Sequence, residues 1–228
     1  MRFFRRTILL LFSVFILSCE SNPYDTSTPK TFVTSLGIIG QQPEDHNPLP
    51  YFYEPKVAEA ILLFDQTAEE GLKSFNSFRN TLAEKFPKYV KSNREGKIKI
   101  ATDGFAGFNT RNFTYSASTI SAQMKERKSL DYEFVSATEV DEDNISQLQV
   151  KIKGKTTTIP LKKTDQGFVM HSTEDQLENI NESVAKMKKM NEVFLRGISL
   201  INSGELTEAN FKEKIEDLSN QYFDVVRE

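Results

Sequence analysis

Cys19 is the only cysteine in a chain of 228 residues. A chain with one thiol closes no internal disulfide and builds no site from clustered cysteines. Whatever it folds into must therefore be held by its apolar core. The position of this cysteine narrows the reading further. Arg2, Arg5 and Arg6 form a basic start, and Thr7 to Leu17 is an apolar run of eleven residues. That run is too short to cross a bilayer as a helix, which takes about 20 apolar residues. Its length suits the hydrophobic stretch of an export signal, with Ser18 as the small residue before a cleavage point.

The run Ile16-Leu17-Ser18-Cys19 resembles the lipobox of bacterial lipoproteins, in the relaxed form most familiar among spirochaetes. Ile16 fills the branched apolar position, and Ser18 and Cys19 match; Leu17 departs from the small residue usual there. The resemblance implies that a signal peptidase cuts before Cys19 and that Cys19 carries the acyl chains. One acyl chain binds a membrane only marginally, at about 0.8 kcal/mol per buried CH₂, so stable anchoring needs more than one. A multiply acylated Cys19 meets that need. The expected location is the cell envelope, at the outer membrane, with the periplasmic and surface sides both open.

Charge excludes one class of partner. The whole chain carries -3, and removing the leader's three arginines, which face no acid, leaves -6. That is not the basic footprint of a nucleic-acid binder. It also gives no electrostatic reason for the body to lie on anionic lipid.

Four segments are expected: an export signal at 1–18, a lipidated cysteine with a proline-rich tether at 19–55, an α+β domain at 56–172, and a helical hairpin at 173–228. The tether reading rests on Pro23, Pro29, Pro43, Pro48, Pro50 and Pro55, six of the eight prolines. Proline removes a backbone donor and disfavours helix before it. Within this stretch, Phe32 to Ile39 is apolar enough for an edge strand. Tyr51-Phe52-Tyr53 is expected where tether meets domain, with a surface aromatic patch as the alternative.

Residues 56–86 carry Val57, Ile61, Phe64, Ala68, Leu72, Phe75, Leu82 and Phe86 at three- and four-residue spacings. This is the stripe of a core-facing helix, and Pro87 stops it. Lys97 to Ala101 alternates like a short strand, and 117–128 suits a short helix with Ile120 and Met124 on one face. Over 130–171 the pattern turns to period two. Leu148, Val150 and Ile152 alternate with polar neighbours, as in an antiparallel strand with one wet face. Gly154-Lys155 suits a tight turn with glycine first. Pro160 argues for an edge or a bulge. Thr173 with Gln176 three residues later reads as a capping box. It opens a helix that carries Leu177, Ile180, Val184, Met187, Phe194, Ile198 and Ile201. Asn202-Ser203-Gly204 ends it, and Thr207 opens a second helix with Phe211, Ile215, Leu218, Tyr222 and Val225.

The helix, short helix and meander over residues 56–172, with Gly167-Phe168 on the last strand, resemble the NTF2-like superfamily, although the tryptophan usual there is missing. The resemblance implies a curved antiparallel sheet around a pocket. The fold expectation is thus α+β: a long N-terminal helix packed on a curved sheet, with the C-terminal hairpin as an addition.

Chemistry is sparse. His46 lies in the proline-rich stretch and His171 at a strand end, too few and too distant for a histidine zinc site. Asp141, Glu142 and Asp143 lack the glycine and distal glutamate of a calcium loop. Gly104 and Gly107 lack the lysine and context of a phosphate loop. No cofactor or metal is expected. The candidate ligand pocket is Phe105, Phe108, Phe113, Tyr115 and Tyr132, with Asp131 or His171 as acid or base; the same rings could instead fill the core. Asn191 falls on the apolar seam of the first C-terminal helix, where one polar residue can set oligomer state. The expectation is a non-catalytic, membrane-anchored binding or interaction module of the cell envelope, with a protein or another envelope component as partner rather than nucleic acid, and with homo-oligomerisation through the hairpin open. The alternative is a pocket that binds or transforms a small apolar ligand.

Overall fold

In the computed structural model, residues 22–43, 46–92, 98–100, 108, 113 and 116–227 are described. The fold is α+β. Helices α1 (Pro29–Gly37), α2 (Leu49–Phe52) and α3 (Pro55–Lys85) come first, then strands β1 (Val90–Ser92) and β2 (Ile98–Ile100). Helix α4 (Thr119–Glu126) leads to β3 (Tyr132–Ala137), β4 (Ile145–Ile152), β5 (Lys155–Thr164) and β6 (Gly167–Met170). The chain finishes with α5 (Glu174–Asn202) and α6 (Phe211–Arg227). Strands β3 to β6 form an antiparallel meander in sequence order, and β1 pairs with β2.

Two cores share one helix. The first half of α3, with Val57, Ala58 and Ile61, packs on the inner face of the sheet, where Leu148, Val150, Leu161 and Phe168 are buried. Its second half, with Phe75, Phe78 and Leu82, packs among α5 and α6. Helix α5 runs the same way as α3: Leu177 and Val57 wall one recess, and farther on Gly197 abuts Phe78. Helix α6 then returns, beginning with Phe211 against Phe86 and Tyr89, at ring separations of 5.0 and 4.5 Å. The apolar stripe of α5, including Met187, Met190, Phe194 and Ile201, is buried within the chain. Asn191 is half-buried beside that stripe, and its Oδ1 is enclosed without a hydrogen-bond partner.

The proline-rich stretch is folded, which corrects the tether reading from Asn22 onward. Tyr24, Phe32, Val33, Leu36, Ile39, Leu49 and Phe52 are all buried in the sheet core. Phe32 to Ile39 is helix and 3₁₀ turn rather than an edge strand. The physical reason is local. Thr28 and Thr31 form a reciprocal capping box and Pro29 takes the first helical position. There its missing N–H costs nothing and its fixed φ favours the helix. Pro50 and Pro55 likewise stand in the first turns of α2 and α3.

The hairpin turn between β4 and β5 is one residue earlier than the sequence suggests. Ile152 pairs with Lys155, so the central residues are Lys153 and Gly154, with φ of 48° and 81°. Two positive φ values are the signature of a type I′ turn, whose twist matches the strands. Pro160 accepts a hydrogen bond from the His171 amide at 2.9 Å. Pro160 stands opposite Gln147 of β4 in an unbulged register and just past the last β5–β6 pair, Leu161 with Met170. So β5 is not an edge strand, and the missing donor falls at the end of the β5–β6 ladder.

Candidate functional site

The described residues of the expected pocket, Phe108, Phe113 and Tyr132, divide between the two cores. Phe108 is buried among Phe78, Tyr222 and Phe194, with ring separations of 5.3, 5.6 and 5.8 Å. Phe113 joins it against Phe194 at 5.9 Å. Tyr132 belongs to the sheet core instead, where its hydroxyl accepts from Gln123 Nε2 at 2.6 Å. Burial first, then the nearby Tyr53, pushes the Tyr132 phenol up to about 12. Phe105, Tyr115 and Cys19 lie outside the described residues.

The two acid–base candidates stand apart. Asp131 is exposed. His171 is half-buried, with Nδ1 enclosed and no hydrogen-bond partner for it. Asp141 ties its own turn together, accepting from the amides of Asp143 and Ile145 at 3.0 and 2.7 Å. Among the described residues, no group of three His, Cys, Asp or Glu could hold a metal ion.

What the structure does assemble is a groove beside His46. The His46–Leu49 segment forms one side, α3 contributes Leu62, Asp65 and Glu69, and α4 contributes Met124 and Lys125. The volume is about 270 Å³. His46 and Met124 also line a smaller adjoining recess that reaches Gly40 and Arg127. Each wall has a local cause. Asp65 and Glu69 are one helical turn apart on α3 and so share a face. Helix α4 is started by Ser118, which accepts from the Ser121 amide at 3.1 Å, and its one apolar side seats Ile120 in the core. His46 is set by aromatic contact: its ring stacks on Tyr51 at 5.8 Å and 12° and lies 5.5 Å from Tyr24.

The electrostatics of the groove are mixed. Asp65 is largely buried; its Oδ1 accepts from the Ala117 amide at 3.3 Å and lies 3.5 Å from Lys125 Nζ. Glu69 pairs with Lys73 at 2.8 Å, and that hydrogen bond holds its carboxyl below the usual range. Two polar atoms of His46 and its ring neighbour Tyr24 have no partner: His46 Nε2 and the Tyr24 hydroxyl are both enclosed. Burial, then Tyr51, raises the Tyr24 phenol to about 12. Buried polar atoms are normally hydrogen-bonded, so these two mark capacity left open. A wider recess of about 480 Å³ where α3 and α5 begin differs in this respect. Its Glu54 is already paired with Lys162 at 2.7 Å.

Sequence reasoning had set His46 aside as part of a tether. The signal that could have found it is Thr28-Pro29, an N-cap followed by a helix-starting proline. That pair announces that the stretch folds. No family model matches the chain, and no curated protein or solved structure matches it either.

Proposed function

We propose that this chain is an exported lipoprotein, anchored by acyl chains on Cys19, whose folded body is a non-catalytic binding module of the cell envelope. The groove beside His46 is its recognition surface. The observation that supports this reading is one open groove that sets charges of both signs beside the apolar side chains of Leu49, Leu62 and Met124, with an unsatisfied imidazole nitrogen enclosed in the His46 wall. Sites for small molecules usually run from about 300 to 1,000 Å³ and enclose their ligand. A groove of about 270 Å³ instead suits one or two side chains of a protein partner.

Site-specific photocrosslinking in cells tests the proposal. A crosslinker at the exposed, groove-lining Gln66 should give a discrete adduct, lost on Lys125→Glu. Adducts only from positions on α6, with none from Gln66, would overturn the groove assignment. Palmitate labelling that persists in Cys19→Ala would overturn the anchor.

A further inference from the structure

We infer that the body is held directly against the surface of its host bilayer, with the Asn22–Ser27 face towards the lipid headgroups. This rests on the proposed acylation of Cys19 and adds what the fold does to it. The chain is locked early. Tyr24 is 3% exposed and packs on Phe52 at 4.9 Å. Asp25 and Ser35 exchange two hydrogen bonds, from the Asp25 amide at 2.9 Å and from the Ser35 hydroxyl at 3.0 Å. The Phe168 amide donates to the Thr26 carbonyl at 2.7 Å, which fastens the segment to β6.

Chain length sets the leash. Five residue steps separate Cys19 from Tyr24, and an extended chain spans at most about 3.6 Å per residue. Tyr24 therefore stays within about 18 Å of the acylated residue. A free coil over residues 20–55 would have reached roughly 35 Å r.m.s.. Asn22, Asp25 and Ser27, all exposed, are consequently the first part of the body to meet headgroups. The contact is geometric rather than electrostatic. Hydrogen bonds from Ser27 hold the Asp25 carboxyl below its usual range, so the face brings a negative charge and no basic cluster to the lipid. Added salt should leave it in place.

The test uses the acylated full-length protein in its own bilayer. Because Cys19 is the only native cysteine, Ser27→Cys gives a single dye site, and acceptor lipids report its height by energy transfer. Transfer should be strong at the native length. A twenty-residue Gly/Ser spacer between Ser21 and Asn22, adding about 25 Å r.m.s., should cut it by roughly half or more. Transfer that is weak from the start, or unchanged by the spacer in membrane-bound protein, overturns the inference and leaves the anchor standing. Protein that fails to sediment with membranes overturns the anchor, and this inference with it.

Discussion

The ring of Phe78 lies against the backbone of Gly197, where α3 meets α5. A methyl group on Gly197 would sit 2.5 Å from Phe78 Cε2. The ring is fully buried and packs on Phe108 and Phe194, so it has little room to retreat. Gly197→Ala should destabilise the protein by about 1–3 kcal/mol through overpacking, despite the gain of roughly 1 kcal/mol in helix propensity. Urea unfolding reads the difference. A more stable variant would show that the two helices can part at no cost.

Tyr24→Phe should behave in the opposite way. The hydroxyl it removes is enclosed without a partner, and such a group carries about 1–3 kcal/mol of unrecovered desolvation. The variant is expected to match or exceed the parent in unfolding midpoint, with the ring contacts to Phe52 kept. A loss above about 1 kcal/mol would show that the hydroxyl is satisfied in solution.

Alkaline pH should weaken the fold. The phenols of Tyr24 and Tyr132 both stand near 12 in the folded chain, against 10.0 as the ordinary value. A raised pKa means that the folded state keeps the proton where the unfolded chain gives it up. The stabilisation is complete below pH 10 and is lost as pH rises from about 10 towards 12. Stability measured across that window should fall, and the fall should be shallower in Tyr24→Phe. A flat profile in the parent protein would contradict the burial of both phenols.

Thr173→Ala should cost about 1 kcal/mol. The Thr173 hydroxyl accepts from the Gln176 amide at 3.3 Å, and Gln176 Oε1 accepts from the Thr173 amide at 3.1 Å. Removing the hydroxyl frees one donor at the start of α5, whereas Thr173→Ser should retain most of the stability. The two denaturation midpoints, compared side by side, check this.

The long elements were legible because their patterns repeat. The stripe from Val57 to Phe86 matches α3, the alternation around Leu148 and Val150 matches β4, and the Thr173–Gln176 pair starts α5 as read. The stretch before α3 was harder because proline acts in two senses. Pro29, Pro50 and Pro55 initiate helices, where the tether reading took them as breakers. The buried residues Phe32, Val33, Leu36 and Ile39 carry helical spacing, which strand-like apolarity masked. The turn at Lys153-Gly154 slipped by one residue because a lysine at positive φ is not a sequence signal.

The aromatic cluster posed another kind of problem. Phe108, Phe113 and Tyr132 are alike in composition and close in sequence, and sequence carries no mark of which core each ring enters. The structure sends the two phenylalanines to the helices and the tyrosine to the sheet. The groove beside His46 was illegible for the same reason: its walls come from three segments brought together only by the fold.

Helix α3 gives the short leash proposed for Cys19 its complement. Its 31 residues make a rod about 46 Å long, and its first turn follows directly on the aromatic knot of Tyr24, Tyr51 and Phe52. The locked Tyr24 segment and the start of the rod are therefore neighbours, while Lys85 and the start of α6 stand at its far end. What the chain gives up in slack it regains as stiffness. With Cys19 as the proposed anchor, Lys85 stands off from that end by a helix of fixed length, which, unlike a coil, holds one distance rather than a distribution.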